Sequence, residues 1–392
     1  MIGAALAALS LVACRTGAPA APTVGDAVFV VPGDALPDEI VVQPANNNLA
    51  VIRHEGSLFL AWRTGPTHFA SAKVQMHVVR SDDDGASWVH ETTVDLDTDV
   101  REPQLLSWGG ELRLFFAVLG TNALDFEPQG TKTSLRRGPA DWGPLEDAFD
   151  PTFIPWRMKV LPDGGDGEPR ISLLGYTGGE NVYDVDGEPI DIQWLTSEDG
   201  LAWRPYVDGT PTVQTGGGSE TDLAWTRDGG IVAVIRNEAG DADGFGSKVC
   251  TAPPDALGTW TCSADPLKYD SPLVFRQGDD IWLIGRRNVT ADGRYDVADP
   301  SQPMADRYLQ NQFAYWQEPK RCALWWVDPR ERAVQFVLDL PSAGDTCFPD
   351  LIDNGDGTVD VFNYTSPLDG SEPTWIEGQN GDTGIYRLRL SF

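Results

Sequence analysis

Residues Arg80–His90 read RSDDDGASWVH. Three consecutive aspartates followed by a glycine look like part of a calcium loop. An EF-hand loop needs oxygen ligands at alternating positions and a closing glutamate at its twelfth position, and this stretch supplies neither. It follows a short apolar run, VQMHVV, and its order Ser81-x-Asp83-x-Gly85-x-x-Trp88 fits a turn. In such a turn a carboxylate caps backbone N–H groups, the glycine tolerates a positive φ, and the tryptophan ring packs into an apolar layer. Read this way, the stretch joins two strands.

Strand pairs recur along the chain. The pattern is an apolar strand opened by polar residues, a glycine-containing turn, and a second apolar strand. The first two copies are NNNLAVIRHEGSLFLAWRT from Asn46 and REPQLLSWGGELRLFFAVLG from Arg101. RMKVLPDGGDGEPRISLLGYTGG from Arg157 has a longer turn, and SETDLAWTRDGGIVAVIRNE starts at Ser219. YDSPLVFRQGDDIWLIGRRN from Tyr269 and TCFPDLIDNGDGTVDVFNYTS from Thr346 complete the set. Alternation of apolar and polar residues around a glycine turn marks each as a β-hairpin. Six hairpins at intervals of roughly 50 to 75 residues, with further strands such as DIQWLTS, CALWWVDP and IYRLRLSF between them, predict a six-bladed β-propeller. AVFVVPG, near the N-terminus, is expected to complete the last blade and close the ring. The acidic turn DNGDGT, Asp353–Thr358, lies between two strands and reads as a hairpin turn.

Composition agrees. The chain has 392 residues, with 41 Gly, 29 Pro and 14 Trp, a balance suited to short strands and tight turns. The net charge of −30 excludes nucleic acid as a partner, because phosphate binding needs clustered Lys and Arg. The acids are spread along the whole chain, as expected of a solubilising surface. No phosphate loop, nucleophile elbow or zinc motif occurs, and no cofactor or metal is expected. Residues 1–14 form a short apolar run ending in Leu-Val-Ala-Cys. This resembles a bacterial lipoprotein signal, with Cys14 as the lipidated residue, although no Lys or Arg precedes the run. Residues 15–26 read as a flexible tether and 27–392 as a single domain. The chain is therefore expected to be exported, either held to the bacterial envelope only by a lipid anchor or secreted through an ordinary signal, and a monomer is expected. Four further cysteines in an exported chain point to disulfides. VCTAPPDALGTWTC favours Cys250–Cys262 as a local pair, and Cys322–Cys347 follows by elimination.

The opening turn resembles the Asp-box, S-x-D-x-G-x-x-W, found between outer strands of sialidase-like propellers. A second copy is TSEDGLAW, Thr196–Trp203, with Glu198 at the aspartate position; PADWGP and DALGTW are weaker echoes. The resemblance extends to the central face. In sialidases three arginines hold the sugar carboxylate, a tyrosine assisted by a glutamate is the nucleophile, and an aspartate is the acid/base. Glu220 opens a middle-blade strand and Arg236 ends the next, as in that family. The resemblance therefore implies that Glu220 polarises the nucleophile and that Arg236 holds a substrate carboxylate. Arg286 or Arg287 would be another arginine of the set. Tyr364 would be the tyrosine, with Tyr269 and Tyr176 competing. Two positions depart from the family. The first blade opens on NNNLAV, so Asn47 or Asn48 replaces an arginine for which Arg63 or Arg101 would have to compensate. The loop TGPTHFASAK carries no aspartate, which leaves His68 as its only proton carrier.

The residues can also be read without the family. Strand starts and ends offer Glu102, Glu220, Asp222, Glu238 and Asp270, with Arg63, Arg101, Arg157, Arg236, Arg286 and Arg287, and with Asn48, Tyr176 and Tyr364. Acids and arginines around a concave mouth suit a polyhydroxylated or acidic small ligand. Two carboxylates across a sugar can act as acid and base. The competing reading is that the charges only neutralise one another. Glu102-Pro103 and Asp270-Ser-Pro272 resemble the blade-start carboxylates of five-bladed glycosidases. The expected function is glycan hydrolysis at the mouth, with Asp270, Glu102 or His68 as acid/base. The alternatives are a propeller that binds glycan or protein without catalysis, or a purely structural role.

Overall fold

The computed structural model describes residues 17–123, 127–161, 169–178, 189–237 and 239–392. Six antiparallel sheets follow one another along the chain. They span residues 45–94, 99–147, 154–216, 218–264, 270–339 and 350–391. The sixth takes its outer strands from the N-terminal part of the chain: Thr23–Val24 and Val28–Val31 both pair with Gly384–Ser391. In every blade the two strands of the predicted hairpin are neighbours and the later strands lie outside them. The molecule is a six-bladed β-propeller.

Period-2 alternation holds the blades together. In Glu111–Leu119 of blade 2, Leu112, Leu114 and Phe116 join the cluster shared with blade 1, while Phe115 joins the cluster shared with blade 3. Successive strand side chains point to opposite faces, so an inner strand must be apolar on both. The other four interfaces are built alike, and the 6/1 interface holds Trp88 of the opening turn. Side-chain acceptors add staples between inner strands. The Met158 N–H donates to Gln104 Oε1 at 3.1 Å, that of Val274 to Asp222 Oδ2 at 2.6 Å, and that of Val51 to Asp350 Oδ2 at 2.8 Å.

The opening turn is built as its composition requires. Ser81 Oγ lies 2.7 Å from Asp83 Oδ1 and accepts the Gly85 N–H, also at 2.7 Å. Asp83 accepts the Ser87 N–H at 2.8 Å, and Gly85 has φ 88°. The second such turn corrects the sequence register. Asp199, not Glu198, accepts from the Leu201 and Ala202 N–H groups, both at 2.8 Å, and Ser197 caps Gly200. Glu198 instead pairs with Arg204 at the surface. The loop is one residue shorter than the first, so counting back from Trp203 selects the wrong acid. Asp353–Thr358 is a hairpin turn, with Asp353 capping Gly355 and Asp356 capping Thr358.

Both expected disulfides are present, Cys250–Cys262 within blade 4 and Cys322–Cys347 between blades 5 and 6. These bridges are consistent with an exported protein. Among the described residues no helix is long and apolar enough to cross a membrane. Cys14 and Glu238 lie outside the described residues.

Candidate functional site at the propeller mouth

Inner strands start, and their partners end, on one face of the ring. In five blades the hairpin register shifts near that end, leaving one or two bulged residues on the inner strand. They include Asn48, Glu102, Trp156, Glu220 and Ser271. Asn48, Glu102 and Ser271 have φ between 42° and 53°. A bulge bends the strand and re-aims a side chain. Here it delivers polar groups to the mouth from strands that are otherwise apolar. Glu102 accepts a hydrogen bond from Asn48 Nδ2 at 3.2 Å, which joins blades 1 and 2.

A second set of groups comes from the loops between second and third strands. The loop after Gly65 carries His68, whose Nδ1 lies 2.6 Å from Asp345 Oδ2. In blade 5 the corresponding connection contains helix α1, Met304–Trp316. Its Tyr315 hydroxyl donates to Asp270 Oδ2. In blade 6 it contains helix α2, Trp375–Gln379, and Trp375 lies beneath the Arg286 guanidinium.

These groups form one continuous chain of contacts. Glu220 pairs with Arg236, and its other oxygen accepts the Ser271 N–H at 2.6 Å. Arg236 Nε reaches Asp270 Oδ1 at 3.0 Å, and Arg286 lies 3.6 Å from Asp270 Oδ2. Arg286 also meets the Tyr364 hydroxyl at 3.5 Å, and that hydroxyl donates to Asp345 Oδ1 at 2.8 Å. Asp345 then leads to His68, whose carbonyl accepts from Arg101 Nη2 at 2.9 Å. Asp99 ties Arg101 to Arg63. Partly exposed members are His68, Arg101, Glu102 and Arg236, with Glu220 buried beside them. Asp99, Asp270, Arg286, Tyr315, Asp345 and Tyr364 are buried behind them.

Burial and neighbouring charges separate the carboxyls. Burial, reinforced by the charge of Glu220, pushes Glu102 up to about 7. Burial also works against a charged Asp270, but Arg236, Lys268, Arg286 and the Tyr315 hydroxyl outweigh it and hold that carboxyl low. Asp345 behaves likewise: burial opposes its charge, and His68, Arg286 and Tyr364 together keep it below the ordinary carboxylate range. Buried Tyr364 and Tyr315 are pushed well above the ordinary phenol value, first by desolvation and then by their aspartate partners.

No protein-family model matches this sequence, and no curated protein matches it. Solved structures do. A protein of unknown function from Dyadobacter fermentans matches over 90% of this chain and 97% of its own, at 14% identity and a TM-score of 0.56. Trypanosoma rangeli sialidase matches over 90% of this chain and 57% of its own, at 14% identity and a TM-score of 0.55. The phage phi92 endosialidase matches over 94% of this chain and 69% of its own, at 11% identity and a TM-score of 0.56. The fold is a sialidase-like six-bladed propeller. At these identities the likeness is one of fold, and this chain spans little more than half the length of the trypanosomal enzyme.

Within that fold several expected ligand contacts turn inward. Arg63 is fully buried, with Nε on Asp99 at 2.9 Å and the remaining nitrogens on the Thr67 and Phe69 carbonyls and the Asn47 side chain. It braces the His68 loop instead of facing a ligand. Arg287 follows Arg286 on the strand, so it points to the other side. It grips Asp339 bidentately at 2.7 and 2.6 Å, away from the mouth. Asp222 is consumed by Lys159 at 2.6 Å and by the inter-blade staple. Arg157 crosses the centre of the ring to the Pro272 and Pro349 carbonyls and, with Lys159, plugs the central channel. Tyr176 lies in the buried cluster with Trp156 and Ile190. Tyr269 packs between blades 4 and 5, bonded to Asp265. Tyr364 is 1% exposed, and its proton is held by Asp345. Asp270 is wholly buried and saturated by cations and Tyr315.

Sequence reasoning missed Asp345, Asp99, Tyr315 and Trp375. Asp345 stands just before the sixth inner strand, one residue ahead of the TCFP at which the sixth hairpin is read from the sequence. Tyr315 sits in the segment MADRYLQNQFAYW, whose buried positions Tyr308, Asn311, Gln312 and Tyr315 have helical spacing. That period was the available signal for an inserted helix. Among the described residues no group of three or more metal-ligating side chains could hold an ion.

Proposed function

We propose that the mouth is the active site of an exported exo-acting glycoside hydrolase that takes a terminal, preferably acidic, sugar. The observation that carries this reading is the pair of unlike carboxyls on one rim. Glu220 is paired with Arg236, whereas burial and the charge of Glu220 push Glu102 up to about 7, and among the described residues its Oε2 has no hydrogen-bond partner. A carboxyl raised toward neutrality beside an arginine-paired one suits an acid/base site. Arg101 and Arg236 supply partly exposed guanidinium groups for a substrate carboxylate. Glu102 is the proton donor in this reading. Asp270 does not fit that role, because its cations hold it ionised. Similarity of fold to sialidases supports glycan chemistry of this class.

The test is a screen of chromogenic glycosides, sialosides included, against the protein and its Glu220→Gln variant. Turnover by the wild type and a loss of at least about 100-fold in the variant are expected, the range of an acid/base or nucleophile-assisting group. Full activity in the variant would remove Glu220 from the mechanism. A second reading, glycan binding without catalysis, is favoured by the sealing of Tyr364 inside the protein. It predicts no turnover in either protein, with sugar binding lost in Arg236→Ala.

A further inference from the structure

The loop carrying His68 lacks the acid on which the family mechanism depends, yet the protein fastens this loop with unusual thoroughness. Arg63 donates to the Thr67 and Phe69 carbonyls on either side of His68. The His68 N–H donates to the Gln379 carbonyl in α2 at 3.0 Å, and its carbonyl accepts from Arg101. The imidazole is fixed as well. Nδ1 lies 2.6 Å from Asp345 Oδ2, and Asp345 is itself 0% exposed. The Asp345 N–H donates to Ser366 Oγ at 3.0 Å, and its second oxygen accepts from Tyr364. His68 retains 14% exposure. Its Nε2 is not sealed off, and among the described residues it has no hydrogen-bond partner.

An ionised carboxylate only accepts hydrogen bonds. Asp345 therefore requires the proton of neutral His68 on Nδ1, which leaves Nε2 as the unprotonated nitrogen with its lone pair available. We infer that His68 and Asp345 form a proton-carrying pair at the mouth. His68 takes a proton from a ligand hydroxyl or a water through Nε2, and Asp345 is the positioning residue that sets its tautomer. The step balances: the ligand or water O–H bond breaks, the Nε2–H bond forms, and the resulting imidazolium is offset by Asp345, which stays charged. The same logic operates wherever a carboxylate orients a histidine base. This inference rests on the mouth being a ligand site. It puts a base in the place where the family carries an acidic side chain.

The charges facing His68 are Asp345 from the approach to blade 6, Arg101 from blade 2 and Arg63 from blade 1, while Arg286 and Tyr364 reach it through Asp345. Burial and the two arginines pull the imidazole below its ordinary value, and Asp345 works in the opposite direction. At neutral pH the ring is therefore uncharged and able to act as a base.

The test is 15N NMR of histidine-labelled, disulfide-intact protein, with His68 assigned among the four histidines by His68→Gln. The Nδ1–H tautomer is expected at pH 7. Asp345→Asn should lower the His68 pKa by at least about one unit, the usual effect of losing an adjacent opposite charge. Tyr364→Phe, which removes the other partner of Asp345, should leave the tautomer unchanged. Diethyl pyrocarbonate should modify His68 at Nε2 faster than the buried His77. An Nε2–H tautomer in the wild type, an unreactive His68, or an unchanged titration in Asp345→Asn would overturn the pair. If Asp345→Asn does not fold, the wild-type tautomer and reactivity decide the question alone. Addition of N-acetylneuraminic acid separates the two proposals: a correct tautomer with no response at Nε2 to that sugar leaves the pair standing and counts against the acidic-sugar reading.

Discussion

Glu102 shows how one backbone feature creates a chemical group. The register shift in the blade-2 hairpin puts this residue at φ 53°, turned out of the ladder toward the mouth. There it loses solvent and meets the field of Glu220, which the charge of Arg101 and the Asn48 hydrogen bond offset only in part. The sign of the consequence follows from linkage. A carboxyl raised from 4.5 to about 7 favours folding while protonated, and that contribution is lost as pH rises through about 7. Glu102→Gln removes the titration. The melting temperature of the variant relative to the wild type should therefore rise between pH 5 and pH 8. A difference that stays flat over this range would show that Glu102 titrates normally.

Turns and inserted helices set the next scale. The turn at Ser197–Trp203 has the function expected of it, with a different acid, because backbone N–H positions select the carboxylate that can reach them. Asp199→Ala should lower the melting temperature, and Glu198→Ala should leave it nearly unchanged, as expected for a surface ion pair. The reverse order would restore the register read from the sequence. Helix α1 acts at the same scale. Thirteen residues between two strands bring Tyr315 to Asp270, and an aromatic group of Phe245, Tyr295, Tyr308, Tyr315 and Trp375 forms beside the mouth. Helical spacing makes the element legible in the sequence, but the partner of Tyr315 is not, because Asp270 belongs to a strand 45 residues earlier.

At the scale of the molecule, the ring closes by joining distant parts of the chain. Residues 23–31 complete the sixth blade, and the opening turn takes part in the seam. Arg387 of the last strand donates to the Asp84 carbonyl and lies 3.0 Å from its carboxylate, with Asp360 at 2.7 Å on its other side. The third aspartate of RSDDDGASWVH thus clasps blade 6 to blade 1, while the second caps the turn. The Cys322–Cys347 bridge fastens the neighbouring interface. It closes a loop of 25 residues, so replacing both cysteines by alanine should cost about 3 kcal/mol in denaturant unfolding. An unchanged midpoint would show that blade packing alone holds this interface.

Sequence alone determined the repeat, the blade count, the closing strand, both disulfides and the residue types at the mouth. Each depends on local information, namely alternation, turn glycines and spacing, which tertiary packing preserves. Tertiary structure alone decided which of those residues face a ligand. Arg286 and Arg287 are adjacent in sequence and lie on opposite sides of their strand. Arg63 and Arg101 resemble each other in sequence, yet one is buried as a brace and the other reaches the mouth. Asp345 becomes significant only because it meets His68, which lies 277 residues away in the chain. Burial, charge pairing and proton position are properties of neighbours brought together across the ring, and no window along the chain contains them.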